Sequence, residues 1–90
     1  MDKGLKYDDG KLRYDLIPPK ALEELAKVIT YGAKKYKPNS WRNVEPYRYE
    51  AALFRHIQEW RKGNKIDKES GLPHLAHALA NLVFLIELDK

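Results

Sequence analysis

The sequence predicts an all-α fold: a small three-helix bundle that follows an N-terminal arm. In three separate segments, apolar residues recur at the spacing of three and four that is typical of amphipathic helices. Proline or glycine stands at the borders of these segments, where helices usually begin and end. The chain has 90 residues and no internal repeat, so we expect one domain that spans residues 1–90.

Residues 1–17 are polar and form the predicted arm. Asp9-Gly10 is a strong signal for a tight turn, and apolar side chains stand on both sides of it. The segment is either a short hairpin or an extended arm. We favour the arm, because an isolated two-stranded hairpin is barely stable in water.

The first helix is predicted over residues 19–36. Pro19 suits a first turn, because its missing N–H would have no partner there, and Pro38 ends the run. Gly32 costs up to about 1 kcal/mol relative to alanine inside a helix. Either close helix packing or a ligand that approaches the backbone explains a glycine at this position.

The second helix is predicted over residues 47–62 and the third over residues 72–88. Gly63-Asn64 ends the second helix, and a polar loop joins it to the third. The third helix is apolar almost all round, which predicts burial on several sides. A bundle of only three helices of this length leaves part of the third helix uncovered. We therefore expect a homodimer or homotetramer, in which another copy of the chain covers it.

Composition narrows the class of protein. The chain has no cysteine, which excludes a disulfide scaffold and thiolate metal sites and fits the cytoplasm. No apolar run approaches the roughly 20 residues that span a bilayer, and the first residues lack the apolar core of a secretion signal. The net charge of +4 suits an anionic small molecule as well as nucleic acid.

Three polar residues interrupt the apolar third helix. His74, His77 and Asn81 have the spacing i, i+3, i+7, which places them on one face. A buried cluster of polar groups costs stability unless a hydrogen-bond network or a ligand offsets that cost. We therefore interpret this face as part of a binding site, with a satisfied polar core as the alternative.

The second helix carries Arg55, His56 and Glu59. If these residues face His74 and His77, the two helices share a cationic cleft, and the planar guanidinium of Arg55 suits phosphate. Glu59 either holds a divalent cation or forms an ordinary pair with Arg55. His-x-x-His alone is a weak signal for zinc, and no His-Glu-x-x-His pattern is present.

Aromatic and basic residues cluster at the end of the first helix and in the loop that follows. Tyr31, Tyr36 and Trp41 offer flat faces on which a base could stack, and Lys34 and Lys35 can meet phosphate. Because these residues are few and accompany a group of histidines, they favour a mononucleotide over nucleic acid. The sequence has no phosphate-binding glycine loop. If the chain hydrolyses a bound nucleotide, we expect a metal-activated water to be the attacking group.

Several short motifs together resemble one phage family. They are Lys11-Leu-Arg-Tyr-Asp-Leu-Ile-Pro-Pro, Gly32-Ala-Lys-Lys-Tyr, Asn39-Ser-Trp-Arg, Arg55-His56 and Ser70-Gly-Leu-Pro-His-Leu-Ala-His-Ala-Leu-Ala-Asn. The chain resembles the dATP/dGTP diphosphohydrolase N-terminal family of phages, including its MazZ-type members. That family is distantly related to the MazG-like all-α nucleotide pyrophosphohydrolases. The resemblance covers nearly all of residues 8–88.

The resemblance implies an oligomeric enzyme that converts dATP or dGTP to the monophosphate and pyrophosphate with Mg²⁺ or Mn²⁺, in the host cytoplasm if phage-encoded. Under this hypothesis Glu59, with Asp67 or Glu24, holds the metal. His56, His74 or His77 transfers a proton. The expected substrate-binding residues are Lys11, Tyr31, Lys34, Lys35, Tyr36, Asn39, Trp41, Arg55 and Asn81.

The chain departs from the MazG-like pattern at the metal site. MazG-like enzymes carry Glu-Glu-x-x-Glu on one helix and Glu-x-x-Asp on the next. This chain has Arg55-His56-x-x-Glu59 and then His74-x-x-His77, and Mg²⁺ prefers hard oxygen ligands. The alternative is therefore a non-catalytic protein that sequesters a nucleotide or a nucleotide-derived immune signal.

Overall fold

A computed structural model describes residues 9–89 of the chain. Three α-helices form the fold: α1 (Pro19–Lys35), α2 (Pro46–Arg61) and α3 (His74–Leu88). Two short 3₁₀ turns, Tyr14–Leu16 and Ser40–Asn43, precede α1 and α2. Residues 9–89 contain no strand, so the all-α prediction is confirmed, and each helix begins and ends within two residues of its predicted bounds.

The arm is described only from residue 9 onward. Residues 9–17 form a turn and then the first 3₁₀ segment, and all of them are exposed. Gly10 has a positive φ of 81°, as the predicted Asp9-Gly10 turn requires. The part of the predicted arm before residue 9, including one strand of the alternative hairpin, lies outside the described residues.

The helix boundaries follow from local chemistry. Pro19 occupies the first turn of α1, and the N–H of Tyr36 donates to the carbonyl of Gly32 at its end. Gly63, with a φ of 96°, ends α2 as predicted. Pro73 was expected inside the third helix, but it caps α3 from outside, because its extended backbone lets its carbonyl accept the N–H groups of the first turn.

Helix α3 packs against both α1 and α2. Val28, Ala76 and Ala80 form the buried core, and four half-buried residues pack on it: Leu25, Ile29, Leu72 and Phe84. The small alanines of α3 allow the other helices to approach it closely. The predicted burial of the third helix on several sides is met where α1 and α2 cover it, while Leu75, Leu82 and Ile86 stay exposed.

Apolar surface remains uncovered on the three helices and the arm. Within residues 9–89 no large side chain is fully buried. The large apolar residues that are exposed are Leu12, Tyr14, Leu16, Ile17, Leu22, Tyr36, Tyr47, Phe54, Trp60, Ile66, Leu75, Leu82 and Ile86. None of the helices described is both long enough and apolar enough to span a bilayer.

Candidate functional site

The loop between α2 and α3 is a tight turn that fixes a carboxylate. The N–H of Asp67 donates to the carbonyl of Leu72 over 2.9 Å, and the N–H of Gly71 donates to the carbonyl of Asp67 over 2.8 Å. Gly71 has a φ of 74°, a conformation that glycine adopts without strain. The N–H of Ser70 donates to Oδ2 of Asp67 over 2.9 Å. The backbone therefore holds this carboxylate in one orientation.

Ser70 links the loop to α3. Its Oγ lies 2.7 Å from Nε2 of His77 and accepts the N–H of Leu72 over 3.1 Å. Oδ2 of Asp67 lies 3.7 Å from the same Nε2 atom. Serine and aspartate thus approach one nitrogen, whereas a Ser-His-Asp triad uses the two nitrogens of the histidine separately. The arrangement orients His77 and does not activate Ser70 as a nucleophile.

Two further imidazoles complete the site. Nδ1 of His56 on α2 lies 2.8 Å from Nδ1 of His74 on α3, so one of these nitrogens must carry the proton that the other accepts. The ring of His56 also stacks on that of His77, with centroids 4.7 Å apart and planes 9° from parallel. We call this group the imidazole cluster; its members are His56, Asp67, Ser70, His74 and His77.

Burial sets the charge state of the imidazole cluster. Burial, followed by the neighbouring His77 and His74, lowers the pKa of His56 from 6.5 to about 4. Burial also lowers the pKa of His77, although Asp67 acts in the opposite direction. Burial alone would raise the pKa of Asp67, but the hydrogen bonds from Ser70 and the neighbouring histidines outweigh it and lower that pKa. At neutral pH the cluster thus contains neutral His56 and His77 beside an ionised Asp67.

Three members of the imidazole cluster could hold a metal ion. His56, Asp67 and His74 each offer one ligand atom, and all three atoms lie within 4.8 Å of one another. Among residues 9–89 this is the one group of three or more such ligands. Two of the ligand residues are half-buried, and His74 is buried.

Glu59 lies outside that group. Its carboxylate accepts hydrogen bonds from Asn64 over 2.9 Å and from Lys62 over 3.0 Å, and these two neighbours lower its pKa. Glu24, the other acid considered for a metal, pairs with Lys27 on its own helix over 2.9 Å. The structure thus brings Asp67 to the histidines, while the carboxylates of Glu59 and Glu24 make local pairs.

The remaining polar residues of α2 and α3 point in different directions. Asn81 is buried, and its Nδ2 donates to the carbonyl of His77 over 2.9 Å, one turn earlier on the same helix. The amide group of Asn81 is therefore hydrogen-bonded within α3. Arg55 is exposed and makes no hydrogen bond with any residue in 9–89, so its guanidinium remains available to an anion.

An aromatic and basic surface adjoins the imidazole cluster on the α1 side. The ring of Tyr31 meets that of His77 edge-on, with centroids 6.4 Å apart. The ammonium group of Lys35 lies 5.9 Å from the ring centroid of Tyr31 and 5.3 Å from that of Tyr36, and it pairs with Glu69 of the loop. This pairing raises the pKa of Lys35. Of these predicted nucleotide-binding residues, Tyr31 contacts a histidine, and Lys35 lies within 6 Å of both tyrosine ring centroids.

A shallow groove of about 390 Å³ runs along α1 beside this surface. Its lining residues are Glu23, Ala26, Lys27, Thr30, Tyr31 and Lys34. The volume lies in the range of small-molecule sites, which is about 300–1,000 Å³. Because one helix supplies every lining residue, the groove has a single wall. A Cβ placed at Gly32 would meet no atom within 4 Å, so close helix packing does not explain that glycine.

Trp41 packs inside the fold. Its ring stacks on that of Phe84 with centroids 4.8 Å apart, and the guanidinium of Arg42 lies 4.4 Å from its centroid. The hydroxyl of Tyr49 donates to the Trp41 carbonyl over 2.8 Å. Phe84 and Arg42 therefore occupy the faces on which a base was expected to stack.

Two other predicted substrate-binding residues are exposed and separate from the imidazole cluster. Asn39 adopts a left-handed backbone with a φ of 65° before the second 3₁₀ turn. Lys11 lies in the exposed arm.

Ser70 was not among the predicted site residues, although it contacts both Asp67 and His77. A sequence signal was available, because Asp, Ser and Gly are all residue types that favour turns, and Asp and Ser side chains bond nearby backbone there. The fold places that turn at the start of α3, where its two side chains meet the histidines. Only the contact between loop and helix reveals the role of Ser70.

Comparisons with known proteins agree with the motif resemblance. The model of the family described as dATP/dGTP diphosphohydrolase, N-terminal, matches residues 1–90. The chain is 40% identical over 85 residues to a dATP/dGTP diphosphohydrolase of Salmonella phage PMBT28. That alignment covers 94% of this chain but 29% of the relative, so the chain spans less than a third of the relative's length. No solved structure matches the chain.

Proposed function

We propose that this chain, which belongs to the dATP/dGTP diphosphohydrolase N-terminal family, binds a purine deoxynucleoside triphosphate and hydrolyses it to the monophosphate and pyrophosphate. The observation that carries the proposal is the imidazole cluster itself. Three imidazoles and one carboxylate converge between α2 and α3, where their nitrogen and oxygen atoms can bind and orient a polar ligand. The likeness to MazG-like enzymes stays a prediction.

The proposed substrate lies across α1 and the imidazole cluster. Tyr36 is 68% exposed, so its ring can stack on a base. Lys34 and Lys35 are exposed beside it and can neutralise phosphate charge. The edge contact between Tyr31 and His77 connects this surface to the cluster. A triphosphate bound in this way extends from the tyrosines toward the histidines.

His77 is the proposed general base. Its lowered pKa leaves it neutral at pH 7, so it can accept a proton from the water that attacks the α-phosphorus. The new bond joins that water oxygen to the α-phosphorus, and the bond to the bridging oxygen of pyrophosphate breaks. Asp67, 3.7 Å from Nε2, stabilises the imidazolium that forms. His56 is the weaker candidate, because a pKa of about 4 makes it a poor base at neutral pH.

The donors of the imidazole cluster do not fit the magnesium that the family resemblance implies. Mg²⁺ prefers an octahedral set of hard oxygen ligands, whereas the cluster supplies imidazole nitrogens and one carboxylate. We propose that magnesium enters only as the counter-ion of the substrate's phosphates. The protein's own groups then provide orientation and proton transfer.

One assay tests the proposed reaction. The chain is incubated with dATP, dGTP and a panel of other nucleotides, with and without Mg²⁺ or Mn²⁺, and monophosphate and pyrophosphate are measured. We expect release of both products from purine deoxynucleotides. His77→Gln should remove turnover, whereas Lys20→Gln at the far end of α1 should not alter it. Full turnover by the His77 variant would exclude His77 as the base.

One observation favours sequestration as a second candidate function. Asp67 is the single carboxylate of the imidazole cluster, because Glu59 is engaged by Lys62 and Asn64. A protein that only binds a nucleotide, or a nucleotide-derived immune signal, needs cations and stacking rings but no catalytic acid pair. Tight binding with the ligand recovered intact would identify this function and exclude the hydrolase.

We also propose that the chain assembles as a homodimer or homotetramer in the cytoplasm. Leu75, Leu82 and Ile86 are exposed at helical spacing on α3, with Ile86 at 71%. A second copy packed there would cover this surface. Sedimentation velocity should show a dimer or tetramer for the native chain and a monomer for Ile86→Lys. A monomeric native chain would contradict the proposal.

A further inference from the structure

We propose that the imidazole cluster is a binding site for a first-row transition-metal dication of the zinc type, with His56, His74 and Asp67 as its ligands. The proposal concerns the free protein and does not depend on nucleotide hydrolysis. It rests on the geometry of three side chains from α2, the loop and α3. It differs from the oxygen-rich magnesium site that the family resemblance implies.

The spacing of the donor atoms is close to that of ligands on one cation. Two atoms bound at about 2.1 Å, with an angle of 90–109° between them, lie about 3.0–3.4 Å apart. The two Nδ1 atoms of His56 and His74 lie 2.8 Å apart, so a small separation of the rings would place a cation between them. A carboxylate oxygen of Asp67 lies within 4.8 Å of a ring nitrogen of each histidine.

The ligand chemistry selects the class of metal. Imidazole nitrogen is a borderline ligand that suits zinc, cobalt and nickel, whereas magnesium and calcium prefer oxygen. Two imidazoles and one carboxylate are the protein ligands of some catalytic zinc sites, which keep a further position for water or substrate. We therefore expect affinity to rise from Mg²⁺ through Mn²⁺ and Co²⁺ to Zn²⁺.

Supporting hydrogen bonds fix the orientation of the ligand from the loop. Oδ2 of Asp67 accepts the N–H of Ser70 over 2.9 Å, which fixes the carboxylate beside the two histidines. Ser70 is in turn held between Leu72 and His77. Such outer partners commonly alter metal affinity by 10–100-fold, as an order of magnitude. The turn at Ser70 is therefore part of the proposed site.

Equilibrium titration of the metal-free chain, in the absence of nucleotide, tests the proposal. Zn²⁺ and Co²⁺ are titrated in competition with a chromophoric chelator, and Mn²⁺ and Mg²⁺ by calorimetry. We expect one Zn²⁺ per chain and at least tenfold weaker binding by His56→Gln, His74→Gln and Asp67→Asn. Glu59→Gln is the matched control, because it removes a nearby carboxylate outside the ligand group, and its affinity should equal that of the native chain.

Four results would overturn the site. They are no stoichiometric binding of Zn²⁺, ligand variants that bind as the native chain does, an equal loss in Glu59→Gln, and Mg²⁺ bound as tightly as Zn²⁺. Circular dichroism of each variant identifies any that fails to fold. For such a variant, long-range ¹⁵N–¹H spectra of the native histidines replace the affinity measurement. Zinc should shift Nδ1 of His56 and His74 while Nε2 of His77 keeps its bond to Ser70, and unchanged Nδ1 signals would exclude the site.

Because no nucleotide is present, failure of metal binding and failure of hydrolysis are separate outcomes. A chain that binds Zn²⁺ without hydrolysing any nucleotide keeps the metal site and loses the enzyme. A chain that hydrolyses dATP or dGTP without binding Zn²⁺ keeps the enzyme and loses the metal site.

Discussion

The interface between α2 and α3 has two ends of opposite character. Near the loop, His56 meets His74 and His77 through hydrogen bonds and ring stacking. Two helical turns further along α3, Phe84 stacks on Trp41 at 4.8 Å and meets Tyr49 at 5.1 Å. The interface thus has a polar cluster at one end and, at the other, an aromatic cluster that Trp41 of the second 3₁₀ turn completes.

The aromatic end holds the two helices together. Burial of aromatic carbon is favourable without any partner of matching charge, so the aromatic end stabilises the pair. Burial of imidazoles disfavours their charged form, as the lowered pKa values of His56 and His77 indicate. The polar end therefore contributes less stability to the interface than the aromatic end does.

The largest test of this division is Phe84→Ala. Phe84 is half-buried against the core, so its truncation should lower the free energy of unfolding by about 2–3 kcal/mol, below the range for fully buried phenylalanine. Denaturant unfolding measures the change. Phe54→Ala is the control, because Phe54 is 62% exposed and should change stability far less. Equal losses in the two variants would refute an aromatic end that holds α2 on α3.

The second test is the dependence of stability on pH. The folded chain keeps His56 neutral down to a pKa of about 4, whereas the unfolded chain takes up a proton near pH 6.5. Stability at neutral pH should therefore be lost progressively as pH falls from about 6.5 to about 4. The lowered pKa of His77 acts in the same direction, and that of Asp67 adds a further loss below its ordinary value of 3.8.

His56→Leu is the matched variant for this pH dependence. It removes the titrating group and substitutes an apolar side chain, so unfolding midpoints between pH 6.5 and 4 should vary less than in the native chain. Its stability at pH 7 should be lower than that of the native chain by about 1–3 kcal/mol, because the buried Nδ1 of His74 loses its hydrogen-bond partner. An unchanged pH profile would show that His56 is not the group responsible.

The three helices and the shared face of two of the histidines could be predicted from the sequence. Apolar periodicity with proline and glycine at the borders predicts three helices, and the i, i+3 spacing of His74 and His77 predicts their common face. Both follow from local chain geometry. His56 does face His74 and His77 across the two helices, but the group is not the predicted cationic cleft, because burial keeps His56 and His77 neutral and Arg55 is exposed.

The sequence did not predict which carboxylate joins the histidines. Glu59 lies one turn after His56 on α2, which makes it the natural candidate by spacing. In the structure Lys62 and Asn64, which follow the end of α2, donate hydrogen bonds to that carboxylate. The carboxylate that lies beside the histidines is that of Asp67, in the loop. Trp41 is a similar case. The sequence allows its ring to pack either on the fold or on a ligand, and the structure shows it stacked on Phe84. Such choices depend on tertiary contacts that no local pattern encodes.

The third test addresses the turn that supports the polar end. Gly71 has a φ of 74° and Gly32 lies in α1, and a Cβ at either position would meet no atom within 4 Å. Gly71→Ala should therefore cost about 1 kcal/mol through backbone strain alone. Gly32→Ala should instead stabilise the helix by up to about 1 kcal/mol. Thermal unfolding gives both signs, and a stabilised Gly71 variant would show that the turn does not need glycine.

The smallest effect on stability should come from the ion pair between Lys35 and Glu69, which joins α1 to the loop at the polar end. The side chain of Glu69 is 64% exposed and that of Lys35 is 36% exposed, so Lys35→Gln and Glu69→Gln should each change stability by about 0.5 kcal/mol or less. Their effects on dATP affinity should have opposite signs. If Lys35 binds phosphate, its loss should weaken dATP binding about fivefold, which corresponds to about 1 kcal/mol. Loss of Glu69 should strengthen dATP binding, because a competing carboxylate is removed. Fluorescence titration with a dATP analogue separates the cases, since equal weakening in both variants would mean that the pair only positions the loop.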